Sequence, residues 1–334
     1  MASKRDFVSA QQVAQRAGVS RSAVSRTFTP GASVAPETRQ KVIEAAESLG
    51  YHVNHLARGL MLKESGIVCL VVSEVATPYR AALLKALTQK LQIAGKIAML
   101  VNTDRSDESV GHALKQAIHY RADASIVLSG MPDRSIVELC LRSGQRLVLI
   151  NRDDELDGPL RINLNDAEAA ERICTAFARA GCRRVGFANS EAGTASLMAR
   201  EEGFLAAAAR FGLEAYCMRY GATSYQSGRV LAQRFLTMDN RPDGVFCASD
   251  LLACGFMDEA RMAFGLSIPE QLCIAGFDDI EQASWGSYQL TTFAQPVELI
   301  AGHAVEWLQM EDVDPISNIK LQAELVWRRS IRAG

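Results

Sequence analysis

Between Gly18 and Arg26 the chain reads Gly-Val-Ser-Arg-Ser-Ala-Val-Ser-Arg. In helical register Val24 and Phe28 fall on one face, and Arg21, Ser22, Ser25 and Arg26 fall on the other. Hydroxyls and guanidinium forks are the groups that hydrogen-bond base edges and phosphates, and a first turn this small and basic fits a helix entering a DNA major groove by its N-terminus. A second set lies just past the ends of candidate strands: Ser73, Glu74, Asn102, Ser129, Asn151, Arg152, Asn189, Ser249, Asp250, Asp278 and Asp279. In open parallel sheets ligands bind beyond the carboxyl ends of the strands, so this polar ring is expected to face a cleft between two lobes. Neither set contains what catalysis needs. The histidines at 52, 55, 112, 119 and 303 show no metal-ligand spacing, and no phosphate-cradling glycine loop follows the first strand. Cysteines at 69, 140, 174, 182, 217, 247, 254 and 273 have no CxxC spacing and sit mostly in apolar runs, as buried thiols of a reducing cytosol do. No enzyme activity, metal or cofactor is expected.

Three short helices must position the first set. Ser9-Ala10-Gln11-Gln12 is a capping-box pattern that opens a helix through about Arg16, with Val13, Ala14 and Ala17 on its apolar face. Gly18 supplies the positive φ that breaks it, Val19 plugs the turn, and Ser20 caps a second helix to about Phe28. A third starts at Pro36 and runs through Val42, Ala46 and Leu49 to a stop at Gly50. Such caps fit any small helical bundle, so on this ground alone DNA binding and a purely structural bundle both stay open.

The segment from Val8 to Leu60 resembles the DNA-binding headpiece and hinge of the LacI/GalR family of bacterial transcription regulators. The matching residues are Val13-Ala14, Ala17-Gly18-Val19-Ser20, Val24-Ser25-Arg26, Val34, Thr38-Arg39, Lys41-Val42, Leu49-Gly50-Tyr51, Asn54 and Leu56-Ala57-Arg58, at ungapped spacing. The resemblance implies that Arg21 and Ser22 read bases, Arg26 meets a base or phosphate, and Ser20, Ser25 and Thr38 anchor phosphates. It further implies that Asn54, Leu56, Ala57 and Arg58 belong to a hinge helix that forms on DNA, with Leu56 wedged into the minor groove. The hinge segment is too short to be stable alone. Two departures occur there: His55 replaces a small residue, and Gly59, where Ser or Gln is common, costs ~1 kcal/mol of helix propensity.

From Gly66 onward apolar strands alternate with helical patterns. Candidate strands cover 66–72, 96–101, 124–129, 146–151, 184–188, 214–219, 244–248 and 272–276, with a last strand at 318–326. This rhythm predicts an α/β fold of two parallel-sheet subdomains, a periplasmic-binding-protein-like body behind a helix-turn-helix headpiece. The expected boundaries are 1–52 for the headpiece, 53–64 for the hinge, and 65–334 for the body. Within the body, 65–162 and 293–318 form one lobe, and 163–292 and 319–334 the other.

The family resemblance extends through the body with weaker motifs: Leu149-Ile150-Asn151-Arg152, Ala199-Arg200-Glu201-Glu202-Gly203-Phe204, Ser249-Asp250-Leu251-Leu252-Ala253, and Gly276-Phe277-Asp278-Asp279 followed by Leu290-Thr291-Thr292 and Gln295-Pro296. It implies effector contacts at Arg200 and Asp250, and at Tyr79, Arg80, Ser129, Asn151, Arg152 and Asp279. Two positions depart from a sugar-binding pattern, since Arg80 stands at an aromatic position of the first loop and Thr223 where relatives place a ring. Losing rings weakens stacking on a pyranose, and Arg80 beside Arg152 and Arg200 raises the positive potential, which points to an anionic sugar derivative. The alternative is that Arg80 is solvated or paired with Glu74 and a neutral sugar binds.

Whole-chain properties agree. At 334 residues the chain allows two or three domains, and 48% hydrophobic with 22% charged residues predicts a large core. Residues 1–62 carry eight Lys/Arg against four Asp/Glu, net +4, which leaves −6 for the remainder of a chain with formal charge −2. A small basic module on an acidic body suits a polyanion held at one end. No apolar run approaches the ~20 residues of a membrane span and the N-terminus is polar, so a cytoplasmic protein is expected. The expected function is repression of transcription from a pseudo-palindromic double-stranded operator under control of a small-molecule effector, by at least a homodimer. The chain ends soon after its last strand, leaving no heptad tail for a tetramer. A free solute-binding protein of the same body fold, without a DNA role, is the alternative.

Overall fold

The computed structural model describes residues 8–29, 31–52, 64–104, 106–128, 132–152, 157–310 and 318–333. The chain divides after Ser65 into two compact units. In the first, α1 (Ala10–Ala17), α2 (Arg21–Thr27) and α3 (Pro36–Leu49) enclose Val13, Ala14, Val24, Val42, Ala45 and Ala46. The capping box at Ser9 and Gln12 is formed, and Gly18 takes φ 67°, a conformation that costs any residue with a Cβ. The second helix ends on Thr27, whose hydroxyl donates to Ala23 O, with Phe28 as its cap. Phe28 packs on Tyr51 with ring centroids 5.8 Å apart.

The second unit contains two parallel sheets. Strands β1 (Ile67–Val72), β2 (Ile97–Asn102), β3 (Ala124–Val127), β4 (Arg146–Ile150), β5 (Leu160–Leu164) and β11 (Asn318–Leu321) form six strands in the order β11-β5-β4-β3-β1-β2. Side-chain alternation splits its core cleanly. Val68, Leu70 and Val72 face α4 (Pro78–Ile93) and α11 (Val297–Gln309), whereas Cys69 and Val71 face α5 (Asp107–His119) and α6 (Arg134–Arg142). Strands β6 (Arg184–Asn189), β7 (Glu214–Arg219), β8 (Gly244–Cys247) and β9 (Cys273–Ala275) form the other sheet, in the order β7-β6-β8-β9. Around it lie α7 (Asp166–Arg179), α8 (Ala195–Arg210), α9 (Tyr225–Leu236) and α10 (Asp250–Met262). An antiparallel pair, β10 (Thr292–Ala294) with β12 (Glu324–Val326), carries the chain between the lobes.

The eight strands expected before residue 290 are all present, with ends shifted by one or two residues. Among the described residues three strands are additional: β5, β10, and the one gained by division of the strand expected at 318–326. β5 pairs with β4 and β11, so the first crossover comes after Leu164, and the single strand expected at 318–326 is broken at Gln322-Ala323, where the chain changes lobes. All eight cysteines are free and seven are buried; burial pushes the Cys69 thiol up to about 12 and the Cys140 thiol to about 11. The Cys69 and Cys140 thiols are therefore inert at neutral pH.

Helices α9 and α10 touch backbone to backbone through two glycines. A Cβ on Gly228 would lie 2.1 Å from Leu252 O, and one on Gly255 would lie 1.9 Å from Tyr225 O. Neither carbonyl can yield without moving its helix. Gly255→Ala is expected to destabilise the body by about 1–3 kcal/mol or more, read as a lower thermal midpoint, whereas Gly286→Ala, which meets open space, leaves it within about 0.5 kcal/mol.

Candidate functional site: a charged interlobe cleft and an exposed polar helix

The first loop of the six-stranded lobe brings Glu74, Thr77, Tyr79 and Arg80 to one wall of a cleft, joined by Asn151 and Arg152 from the end of β4. Opposite stand Ser196, Leu197 and Arg200 of α8, Thr194 before it, and Thr223, Ser249, Leu251, Asp278 and Ile280, with Gln295 from the crossover. The space they enclose is about 90 Å³. Small-molecule sites commonly measure ~300–1,000 Å³, so a sugar-sized ligand requires the lobes to part.

Arg200 is 3% exposed, and a buried charge needs partners. Its Nε and Nη2 donate to Asp166 Oδ1 at 2.9 and 2.8 Å, its Nη1 donates to Ala248 O at 2.6 Å, and its guanidinium lies 3.3 Å from the Phe277 ring centroid. Burial raises the Asp166 carboxyl against the opposing pull of Arg200. Asp278, at φ 122°, accepts from Gln295 Nε2 at 2.6 Å; burial pushes it up to about 6, with Arg200 and Arg80 pulling the other way. The Tyr79 hydroxyl, which receives Asn151 Nδ2 at 3.4 Å, is raised by burial to about 12 and stays protonated. Asn151, itself at φ 56°, keeps its buried Oδ1 without a hydrogen-bond partner. A ligand hydroxyl would satisfy that acceptor.

Two expected effector contacts sit elsewhere. Asp279 accepts from Arg328 Nη2 at 2.7 Å and does not line the cleft, because positive φ at both Asp278 and Asp279 turns the first of the pair inward. Asp250 is fully buried beneath the lining. Its Oδ1 accepts from Thr292 Oγ1 at 2.5 Å and its Oδ2 from Ile280 N at 2.9 Å; burial, reinforced by Asp278, pushes it up to about 8. A Cβ on Gly276 would lie 2.1 Å from Asp250 Oδ1, so glycine there makes room for the carboxylate. Of the remaining ring, Glu74, Asn151, Arg152, Ser249 and Asp278 line the cleft, while Asn189 turns aside to Glu201 Oε2 at 2.7 Å. Ser129 lies outside the described residues. Gln295, Thr194 and Ser196 line the cleft in addition to the residues expected from sequence; Gln295 belongs to the Gln295-Pro296 motif.

On the headpiece Ser20, Arg21, Ser22, Ser25 and Arg26 are exposed, and Ser20 Oγ caps the helix by accepting from Ala23 N at 3.2 Å. Thr38 is half-buried. Arg39, of the Thr38-Arg39 motif, donates to Thr27 O at 2.8 Å and Ala32 O at 3.3 Å, tying α3 to the end of α2. The hinge residues Asn54, Leu56, Ala57 and Arg58, with the departures His55 and Gly59, lie outside the described residues.

Residues 10–54 match the model of bacterial regulatory proteins of the lacI family, and residues 174–331 match a periplasmic binding protein-like domain. The regulator GalS of Salmonella typhimurium is 30% identical over 303 residues, 90% of this chain and 88% of GalS. The chain belongs to the LacI family. GalR of Escherichia coli is 28% identical over 327 residues, covering 96% of this chain and 95% of GalR. The lac repressor dimer bound to operator and an anti-inducer shares the fold, with TM-score 0.87 and 22% identity over 97% of this chain and 99% of that one. As a family member the protein is a sequence-specific DNA-binding transcriptional regulator under effector control, and the family comprises regulators, not enzymes. The solute-binding alternative fails on the match over residues 10–54. Among the described residues, no cluster of side chains could hold a metal ion and no helix is long and apolar enough to cross a membrane.

The raised Asp278 carboxyl has a definite sign in stability. The folded state binds this proton more tightly than the unfolded chain, whose carboxyl titrates near ~3.9. Its contribution is therefore fullest below pH ~4 and declines until the pH passes about 6. Asp278→Asn should remove that slope and stabilise the protein on the order of 2 kcal/mol relative to wild type at pH 7.5, with little difference at pH 4. Denaturant midpoints at the two pH values measure it, and a variant advantage that does not grow with pH would refute the assignment.

Proposed function

We propose that this protein is a repressor that binds a pseudo-palindromic operator as a homodimer and is controlled by an anionic sugar derivative in the interlobe cleft. In this reading Arg21 and Ser22 read base edges, Arg26 meets a base or phosphate, and Ser20, Ser25 and Thr38 hold phosphates. Asn54, Leu56, Ala57 and Arg58 complete the contact through the hinge. In the cleft, Asn151, Asp278 and Gln295 serve ligand hydroxyls, while Arg80 and Arg152 meet the anionic group with Tyr79 as a wall. Arg200, its forks occupied by Asp166 and Ala248 O, orients the floor, and Asp250 acts through Thr292 and Ile280 instead of touching ligand.

The observation that carries the anionic class is Arg80 and Arg152 together in the cleft lining, with Arg200, paired to Asp166, as the floor and Asp278 held by Gln295. The CelR–cellobiose complex, whose chain is 25% identical to this one with TM-score 0.69, supports a sugar-derived ligand. Association as a homodimer is supported by exposed apolar side chains on the edge strand β2, Ile97 and Leu100, next to Ile93 at the end of α4.

Three outcomes are expected. Calorimetry with galactose and galacturonate should show the acid binding at least about tenfold tighter, with Arg80→Ala removing the difference; tighter binding of the neutral sugar would end the anionic reading. Replacing Arg21 or Ser22 should change which operator bases are preferred, at ~1–3 kcal/mol for each lost base contact, in selection from a randomised operator library. An unaltered preference would mean that α2 is not the reader. Leu100→Asp should convert dimers to monomers in sedimentation, and an unchanged sedimentation coefficient would place the interface elsewhere.

A further inference from the structure

A groove of about 650 Å³ lies on the four-stranded lobe between α7 and the segment that follows β12. This volume is within the ~300–1,000 Å³ of small-molecule sites and far exceeds the cleft's own cavity. Arg172 and Arg179 of α7 line one side, Trp327, Arg328 and Arg332 the other, and the described lining contains no carboxylate. Acids close by in sequence are engaged elsewhere: Glu171 takes Arg210 at 3.0 Å, and Glu168 accepts from Gln322 Nε2 at 2.8 Å. Glu324 precedes the lining residue Leu325, so strand alternation turns it to the opposite face.

The arginines divide into two kinds. Arg332 and Arg328 are built in: Arg332 donates to Ala180 O at 3.1 Å and Pro269 O at 2.8 Å, and Arg328 donates to Leu290 O at 2.9 Å and Asp279 at 2.7 Å. Arg172 and Arg179 are exposed and seven residues apart, two turns along one helix face. Neither has a carboxylate partner among the described residues; the Arg179 fork faces the groove's solvent, and Arg172, whose Nη1 reaches Ala323 O, keeps Nε and Nη2 for a ligand. Beside them Trp327 is 59% exposed, a wide indole surface presented at the rim of a cationic groove. Guanidinium forks match phosphate oxygens bidentately, and an indole face stacks on a planar ring.

We propose that this groove is a second ligand site, separate from the interlobe cleft, that takes a free nucleoside phosphate, with the phosphates on Arg172 and Arg179 and the base on Trp327. The groove also touches the crossovers. The Arg172 guanidinium lies 5.9 Å from the Phe293 ring centroid in β10 and donates to Ala323 O between β11 and β12 at 3.5 Å. A nucleotide held there therefore bears on both strands that join the lobes.

Calorimetry of the full-length protein with ADP, adenosine and pyrophosphate tests the proposal. ADP is expected to saturate one site per chain, with adenosine and pyrophosphate each at least about tenfold weaker. Arg172→Gln with Arg179→Gln should weaken ADP at least about tenfold while the melting profile stays that of wild type; should that variant misfold, Trp327→Ala against Trp327→Phe carries the test, with only the alanine weakening ADP. The proposal is overturned if ADP fails to saturate at millimolar concentration, if binding survives these changes, or if Arg80→Ala abolishes it, which would place ADP in the cleft. A single-stranded oligonucleotide binding about tenfold tighter per site than ADP would overturn the free nucleotide as the ligand.

Discussion

The buried charge of Arg200 is the constraint on which the cleft depends. An unpaired guanidinium at this depth would be untenable, and removing one partner of such a buried pair typically costs ~3–5 kcal/mol. The pairing ties together parts far apart in sequence: Asp166 at the start of α7, the Ala248 carbonyl past β8, and the Phe277 ring past β9. The start of α7 and two strand ends of the four-stranded lobe are thereby held around a single cation. The geometry leaves Arg200 few donors for a ligand, which makes it the floor of the site more than a reader of what enters it.

Around that floor the carboxylates are arranged to grip the crossovers. Asp250 receives the hydroxyl of Thr292 in β10, and Asp278 receives the side-chain amide of Gln295 just after it. Both acids are pushed up by burial, so their charge is sensitive to any cation or anion brought nearby. Arg80, Arg152 and Asp278 stand together in the cleft lining, and Asp278 bonds directly to the crossover residue Gln295. Arg328, joined to Asp279 and to Leu290 O, extends the same network to the last segment of the chain.

Much of this was legible from residues alone. Apolar runs alternating with helical patterns gave the two parallel sheets, and Ser9, Gly18, Ser20, Pro36 and Gly50 marked the headpiece helices because caps are local chemistry. What was not legible is tertiary. β5 is a short alternating strand recognisable mainly by its neighbours β4 and β11, and the break at Gln322-Ala323 exists because the chain must change lobes there. Choosing between adjacent Asp278 and Asp279 required the two positive φ angles, and reading Arg200 as a free cation missed a partner 34 residues earlier. Arg39 was matched as a motif residue, but its clamp on Thr27 O and Ala32 O appears only once α2 and α3 are packed.

If the charge cluster around Arg200 couples the cleft to operator binding, removing that charge silences the response to ligand. Operator affinity of the full-length protein, measured by fluorescence anisotropy with and without galacturonate for wild type and Arg200→Met, tests it most directly. The ligand should shift wild-type affinity by at least about tenfold, a coupling near 1.4 kcal/mol, and leave the variant unmoved at a temperature where circular dichroism shows it folded. A variant that responds as wild type does would contradict it.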